Sequence, residues 1–313
     1  MSETPEETLR RLQWTVIKPL AAQSGGSERS LVRAAATEMS ELREYQPGDD
    51  IRRIDWNLSA RMDEPYVRES HDARALDVWL LIDVSPSVQW GTVRRFKVEQ
   101  AIDFAVAVGY LLGRQGNRVG AMTFAHQPLR FVQPASGQRH WLRLIGELRG
   151  SQPDPREQAG KTQLKLALHE AARAIQSKSL IFVISDFLGE PDWASALRRL
   201  DQRHEVIAVR LLDPREQALP DVGMILFEDA ETGQQLMVNT HDAKLRERYR
   251  QAAQARTEQL KRDIDAAGAD LIELNTSDDL LHVLTHFLGA RRFKNPARNR
   301  NRTANSLAML KSE

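Results

Sequence analysis

The stretch Leu80-Leu81-Ile82-Asp83-Val84-Ser85-Pro86-Ser87 decides the fold expected for this chain. Its apolar first half, together with Val78, is short and bounded by turn residues, as is typical of a buried strand in a parallel sheet. Such strands present functional groups at their carboxyl ends, where ligands of open α/β sheets bind. One carboxylate and two hydroxyls at alternate positions follow the apolar run, and hard oxygens of this kind suit Mg²⁺ or a similar cation. The stretch therefore predicts half of a metal site.

The composition is that of a globular protein with an ample core. Hydrophobic residues make up 41% and charged residues 28% of the 313 positions, which is an ordinary balance for a folded domain. The absence of cysteine excludes disulfides, thiolate metal sites and cysteine nucleophiles. The longest apolar runs are far shorter than the roughly 20 residues of a membrane span, and the acidic start has no signal-peptide pattern. We expect a cytoplasmic protein.

The charge is unevenly spread along the chain. The net charge of +1 argues against a dedicated nucleic-acid binder, but the last 25 residues hold seven basic side chains and one acid. We expect residues 291–313 to form a basic, disordered tail. Salt-sensitive binding of nucleic acid through this tail is a separate hypothesis.

Apolar periodicity alternates between strand and helix along the rest of the chain. It predicts a helix of about 20 residues from Phe96, a hairpin turning at Thr232-Gly233, an edge strand over 67–74, and further strands over 77–83, 119–124, 129–132, 180–186, 205–212 and 270–274. Strands that alternate with helices imply an α/β fold with a doubly wound, mostly parallel sheet flanked by helices. We expect three regions: an N-terminal helical and extended segment (1–75), the α/β domain (76–290), and the basic tail (291–313).

Two further residues would complete the oxygen ligands of the predicted metal site. Asp186 ends a second apolar strand, and Thr162 stands at a loop-to-helix junction after Gly160-Lys161. In a doubly wound sheet these places can meet Asp83 at the carboxyl-end face, near the topological switch point. Two carboxylates and three hydroxyls, with room for water, form the mixture that octahedral Mg²⁺ prefers. A divalent cation would also remove the repulsion between Asp83 and Asp186.

The pattern Asp83-x-Ser85-x-Ser87 … Thr162 … Asp186 resembles the metal-ion-dependent adhesion site (MIDAS) of von Willebrand factor A domains. In that family the two serines and the threonine contact a divalent cation, and the aspartates act directly or through water. A sixth position is left for an acidic side chain of a partner protein. The resemblance implies that all five residues are metal ligands, with Mg²⁺ as the cation and Mn²⁺ or Ca²⁺ as alternatives.

A segment upstream of the metal-site pattern indicates a more specific family. Arg43-Glu-Tyr-Gln-Pro-Gly-Asp-Asp-Ile-Arg-Arg-Ile-Asp-Trp56, followed by Ser59-Ala-Arg61, is similar to the signature of bacterial domain-of-unknown-function 58 (DUF58) proteins. These are von Willebrand A-like proteins associated with MoxR-type AAA+ ATPases, and the likeness covers residues 15–290. It implies a non-enzymatic adaptor that binds a MoxR-type ATPase or its client in chaperone-like assembly or remodelling. Within the segment, Tyr45, Ile54 and Trp56 favour a packed motif over a solvated surface.

The same residues allow other interpretations. Asp83, Thr162 and Asp186 could each simply cap a helix or strand end, but their conjunction favours a metal site. Asp83 also resembles the nucleophile of haloacid-dehalogenase-like phosphatases, so a Mg²⁺-dependent phosphohydrolase is the alternative function. That class needs a second aspartate where Ser85 stands.

Gly160-Lys161-Thr162 mimics the end of a phosphate-binding loop. The glycine that such a loop requires five places earlier is Pro155. Ser85 lacks the glycine-flanked elbow of a serine hydrolase. The sequence offers no nucleophile–base pair, and we expect a protein without enzymatic activity.

Overall fold

A computed structural model describes residues 3–20, 40–46, 64–70, 75–150 and 162–287, apart from positions 94, 115, 127, 190 and 231, together with positions 51, 54, 56 and 59. The prediction of a disordered tail over 291–313 lies outside the described residues, as do Gly160 and Lys161.

The described strands and helices alternate along most of the chain. The strands are β1 (Ser40–Glu44), β2 (Tyr66–Ser70), β3 (Asp77–Asp83), β4 (Arg118–Phe124), β5 (Pro128–Ala135), β6 (Ser179–Ser185), β7 (Glu205–Leu212), β8 (Met224–Glu228), β9 (Gln235–Asn239) and β10 (Asp270–Asn275). The helices are α1 (Pro5–Leu12), α2 (Lys97–Gly113), α3 (Gln138–Gly150), α4 (Leu164–Ala174), α5 (Ala194–Arg203), α6 (Pro214–Gln217), α7 (Ala243–Ala267) and α8 (280–287).

Six of these strands form the central sheet in the order β10-β7-β6-β3-β4-β5. All neighbouring pairs are parallel except β4 with β5, which places one antiparallel strand at an edge. The chain moves from β3 to one side of the sheet through β4 and β5, and then returns to the other side through β6. The switch point therefore lies between β3 and β6. The predicted doubly wound, mostly parallel α/β fold is confirmed.

Strand β3 lies at the centre of the sheet and is buried along its whole length. Val78, Leu80 and Ile82 face the core that contains α2 and α3, whereas Trp79 and Leu81 face the opposite core, under α4 and α5. Alternate residues of a strand point to opposite faces, so a continuous apolar run is needed where both faces are covered. This explains why residues 78–82 are all apolar.

Helix α2 follows the Asp-x-Ser-x-Ser turn and is buried on nearly all sides. It begins at Lys97, one residue later than the predicted start at Phe96. A glycine in its middle lets α3 approach closely, because a Cβ atom on Gly109 would lie 2.5 Å from Cη2 of Trp141. Helix α2 therefore packs tightly against α3.

The first helix belongs to the same core as the sheet. Leu9 and Leu12 of α1, and Ile17 in the turns that follow it, are buried among the side chains of α2 and α3. Arg11 donates to both oxygens of Asp103 in α2, at 2.8 and 2.7 Å. The domain boundary predicted near residue 75 stays a prediction. Residues 3–20, on the N-terminal side of that boundary, share a hydrophobic core with the sheet.

The strand predicted over 67–74 is found in part as β2 (Tyr66–Ser70), and residues 71–74 lie outside the described residues. Strand β2 pairs antiparallel with β1 in a separate two-stranded sheet. In the neighbouring signature segment Tyr45 and Ile54 are half-buried, but Trp56 is 66% exposed, contrary to a fully packed motif.

The predicted hairpin is confirmed as β8–β9, with Leu226 opposite Met237. It is a separate two-stranded sheet within the described part of the chain, and both of these side chains are exposed. No helix in the described ranges combines the length and the apolar character that crossing a membrane requires.

Candidate metal centre

The five predicted ligands lie at the carboxyl ends of three adjacent strands. Asp83 is the last residue of β3, and Ser85 and Ser87 belong to the turn that follows it. Asp186 directly follows β6, the neighbour of β3. Thr162 precedes Gln163, whose N–H donates to Ala125 O at 3.1 Å, just beyond the end of β4. The parallel sheet therefore brings residues separated by about a hundred positions to one edge.

Asp83 is fully buried and held by two hydrogen bonds. Its Oδ1 accepts from the N–H of Ser85 at 2.9 Å, and its Oδ2 accepts from Oγ of Ser185 at 2.6 Å. Burial and repulsion from Asp186 raise the pKa of Asp83 to about 7, and the bonds from the two serines oppose this rise only in part. An unbalanced negative charge at this depth favours a bound cation.

The two serine hydroxyls have a separation that suits an octahedral cation. Oγ of Ser85 and Oγ of Ser87 lie 2.9 Å apart, which is also the length of a hydrogen bond between them. Neighbouring ligands at the 2.0–2.1 Å typical of octahedral Mg²⁺ are about 2.9 Å from each other. The hydroxyls can therefore occupy adjacent positions around such a cation without moving apart. The donor set present in this chain fits a hard divalent cation.

Asp186 is buried and held in an ion-paired cluster. Its Oδ2 accepts from Nζ of Lys97 at 2.9 Å, and its Oδ1 accepts from the N–H of Leu188 at 3.1 Å. Phe187, which lies between Asp186 and Leu188 in the sequence, adopts φ +54°, a left-handed conformation that non-glycine residues seldom take. Strain of this kind persists only where surrounding contacts impose it, and it clusters at functional sites.

Lys97 joins the candidate site to a second acid. The lysine is completely buried, and its Nζ also donates to Oε1 of Glu216 at 2.6 Å. The other oxygen of Glu216 accepts from the N–H of Asp213, the residue that caps α6. Asp213 in turn accepts from the N–H of Thr92 and from Oγ1 of Thr276, both at 2.8 Å. Loops from three strand ends thus fix the position of Glu216.

The charges of the cluster favour a divalent ion. Asp83, Asp186 and Glu216 face the single ammonium of Lys97, which leaves a net charge of −2 when all four groups are ionised. Within the described residues no three acidic or histidine side chains are arranged to hold a metal by themselves. A cation here would therefore depend on the hydroxyl ligands of Ser85, Ser87 and Thr162.

Three of the predicted residues are joined by hydrogen bonds, and the other two lie nearby. Asp83 contacts Ser85, Ser85 contacts Ser87, and Asp186 acts electrostatically on Asp83. Thr162 is half-buried at the neighbouring strand end, and its role as a ligand stays a prediction, as do the roles of the other four.

Sequence reasoning missed Lys97, Ser185 and Glu216. Lys97 carried a usable signal, because it opens an apolar helix at the end where the helix dipole disfavours a cation. Ser185 directly precedes Asp186 and was a second signal, since it lies at the end of the same strand. Glu216 carried none, because a capping glutamate in a short helix is ordinary.

Comparison with known proteins identifies relatives of this chain. A family model described as "Protein of unknown function DUF58" matches residues 41–259. The uncharacterized protein Rv1480 of Mycobacterium tuberculosis is 35% identical over 288 residues, which is 91% of this chain and 89% of that protein. An uncharacterized protein of Mycobacterium avium, MAV169, is 35% identical over 160 residues, covering 51% of this chain and 93% of that protein.

Solved structures resemble the chain more distantly. BatB from Bacteroides thetaiotaomicron has a TM-score of 0.45 and 14% identity, covering 70% of this chain and 99% of that chain. The VWA domain of SpRpn10 has a TM-score of 0.39 and 11% identity, covering 67% and 94%. A mussel byssus matrix protein with a zinc-occupied MIDAS motif has a TM-score of 0.33 and 15% identity, covering 44% and 38%. At these scores the likeness does not extend to ligands or partners.

Proposed function

The chain belongs to the DUF58 protein family, and from that premise we propose that it is a metal-dependent adaptor that binds another protein through an acidic side chain. The observation that carries this proposal is the buried oxygen cluster at the switch point of the sheet. There Asp83 and Asp186 repel each other, and the hydroxyls of Ser85 and Ser87 lie 2.9 Å apart. This arrangement has the charge and the spacing for a hard divalent cation.

Each residue of the cluster has a distinct role in the proposal. Ser85, Ser87 and Thr162 would supply neutral oxygens, and Asp83 and Asp186 would supply negative charge directly or through water. Mg²⁺ is the expected cation because hydroxyls, carboxylates and water are its usual ligands, with Mn²⁺ and Ca²⁺ as alternatives. When bound, the cation would supply a Lewis-acidic position for an aspartate or glutamate of a partner.

The partner follows from the family resemblance. We propose a MoxR-type AAA+ ATPase, or a client of that ATPase, as the protein whose acidic residue completes the site. The adaptor role would then be chaperone-like assembly or remodelling. Because Asp83 is held by hydrogen bonds from Ser85 and Ser185, and Ser85 is bonded to Ser87, we expect the site to be preorganised for binding.

A hydrolytic role for Asp83 is less well supported. Both carboxylate oxygens already accept hydrogen bonds, and the side chain is fully buried. A nucleophile must reach the substrate atom that it attacks. The phosphohydrolase alternative is removed if the protein shows no turnover of generic phosphate esters with Mg²⁺.

The proposal is tested by measuring cation and partner binding in matched variants. Isothermal titration with Mg²⁺ or Mn²⁺ should show one site in the wild type, weakened at least about tenfold in Asp83→Ala because a charged group of the site is lost. Pull-down of the MoxR-type ATPase should need the cation and be lost in the same variant. The control is Asp77→Asn, which removes a carboxylate from the opposite end of β3, where it pairs with Arg118 at 2.7 Å. Partner binding that persists in excess chelator contradicts the proposal.

A further inference from the structure

Lys97 is a fully buried lysine that contacts the candidate metal centre. It is completely buried, it lies at the N-terminal end of α2, and its Nζ is 5.0 Å from the ring centroid of Trp90. Burial of an ammonium carries a large desolvation cost, and the positive end of a helix dipole disfavours a cation. Since both effects oppose a lysine here, its acidic partners must outweigh them.

The partners of Lys97 include one predicted metal ligand and one residue outside that set. Nζ lies 2.9 Å from Oδ2 of Asp186 and 2.6 Å from Oε1 of Glu216. Burial opposes the charge of Lys97, but two carboxylates at these distances form charge-assisted hydrogen bonds with the ammonium and compensate for the lost solvation. Arg210, ion-paired with Glu273 at 3.3 Å, also attracts Asp186 and Glu216 electrostatically, but it is Lys97 that contacts both carboxylates directly.

We propose that Lys97 is a built-in counter-cation of the candidate metal centre, which lets the fold exist without metal and weakens the binding of divalent cations there. The argument is one of charge and position. The ammonium of Lys97, at the start of α2, donates to one oxygen of Asp186 and to one oxygen of Glu216. It therefore offsets negative charge that a metal ion would otherwise have to neutralise alone. This inference rests on the proposed function only for the place where the metal would bind.

The consequence for binding concerns Asp186. One of its oxygens is engaged by Lys97 and the other by the N–H of Leu188. Its charge is therefore shared with the ammonium, and a cation beside Asp83 would be less fully neutralised by this chain. A cation in that condition attracts an external carboxylate more strongly, because the two opposite charges meet in a low-dielectric site.

The test is a set of charge variants, studied by thermal unfolding and by titration with MgCl₂ and MnCl₂. Lys97→Met keeps a long apolar side chain and removes the charge. We expect it to lower the melting temperature in EDTA, to bind the cation at least about tenfold more tightly than the wild type, and to gain a larger rise in melting temperature on metal addition. Lys97→Arg keeps the charge and should restore the wild-type metal affinity to within about threefold.

Glu216 supplies the matched control, because its removal changes the charge in the opposite sense. Glu216→Gln should weaken cation binding, and the double variant Lys97→Met/Glu216→Gln should return to within about threefold of the wild type, since one charge of each sign is lost. If Lys97→Met does not fold in EDTA, its folding on addition of Mg²⁺ or Mn²⁺ is the expected result. Failure to fold with metal, while the double variant folds, overturns the inference.

The outcomes separate this inference from the proposed function. If the wild type binds no divalent cation but Lys97→Met gains a metal-dependent rise in melting temperature, the proposed function fails and the counter-cation role stands. If the wild type binds a cation and Lys97→Met is folded yet binds it equally or less tightly, the counter-cation role fails and the proposed function stands.

Discussion

Oγ of Ser185 donates to Oδ2 of Asp83 at 2.6 Å, which joins the carboxyl ends of β6 and β3 across 102 positions of sequence. The same hydroxyl accepts from the N–H of Phe187 at 3.1 Å. Ser185 therefore supports both a predicted metal ligand and the strained residue that follows the other one. A single small side chain connects the two halves of the candidate site.

Replacement of Ser185 by alanine should destabilise the metal-free protein by about 1–3 kcal/mol, because a buried carboxylate loses a donor and the N–H of Phe187 loses its acceptor. The loss should be greater at pH 8 than at pH 5, since the bond favours the ionised form of Asp83. Denaturant unfolding at the two pH values measures both effects. Ser179→Ala, at the opposite end of β6, is the control and should show no such pH dependence. Equal losses at both pH values would contradict the role given to Ser185.

Asp83 should make the metal-free protein less stable as pH rises. Its pKa is about 7 in the folded state, against an ordinary value of 3.8, so the folded state binds the extra proton between these values. Its contribution is therefore complete below about pH 4 and is lost as pH rises through 7, with a slope of up to about 1.4 kcal/mol per pH unit. Asp83→Asn should lack this slope, so the free energy of unfolding of the wild type minus that of the variant, measured in EDTA, should fall as pH rises from about 4 to 7.

His204 should act in the opposite sense. Burial, together with the nearby charge of Arg203, lowers the pKa of His204 from 6.5 to about 4. The unfolded chain then binds more protons between these values, so stability falls as pH drops from 6.5 towards 4. His204→Gln should lose this acid sensitivity when unfolding is followed over the same range. A variant that keeps the wild-type acid sensitivity would show that the proton is taken up elsewhere.

The contact between α2 and α3 predicts that alanine substitution has different effects on stability at Gly109 and at Gly146. Gly109→Ala should cost about 1–3 kcal/mol, because its new Cβ would lie 2.5 Å from Trp141 and the helices must separate. Gly146→Ala in α3 should be neutral or stabilising by up to about 1 kcal/mol, since the nearest atom to its Cβ is 3.8 Å away. Urea unfolding of the two variants compares them directly. Similar losses in both would mean that Trp141 adjusts without cost.

The attachment of the first helix depends on the pair of Arg11 with Asp103. Arg11→Met should destabilise the protein by about 2–3 kcal/mol and expose residues 3–20 to limited proteolysis, since Asp103 is nearly buried and, among the described residues, keeps only Arg95 as an ion-pair partner. Arg10→Met, on the exposed side of the same helix, should change neither property. Unchanged protease sensitivity in Arg11→Met would show that apolar packing alone holds the helix.

The predictable part of this structure was local or repetitive. Strands β3 and β6 could be recognised because both faces of each are covered, and the switch point followed from the alternation of strands with helices. Asp83, Ser85 and Asp186 could be placed at one edge because parallel strands end together.

The contacts that could not be predicted join residues that are far apart in the sequence. Lys97 lies 89 positions before Asp186 and 119 before Glu216, and periodicity says nothing about such pairs. The apolar side of α1 could be read from the sequence, but the surface that it covers could not.

The central position of β3 also fixes an order of events during synthesis. Its partner β6 is translated about 100 positions later, an interval of about 5–20 s at ordinary elongation rates. Throughout that interval this strongly apolar strand has at least one unpaired edge, which is a template for aggregation. A ribosome that stalls before residue 179 would release a chain with that edge permanently open, so nascent chains of this length should be the forms most dependent on chaperones.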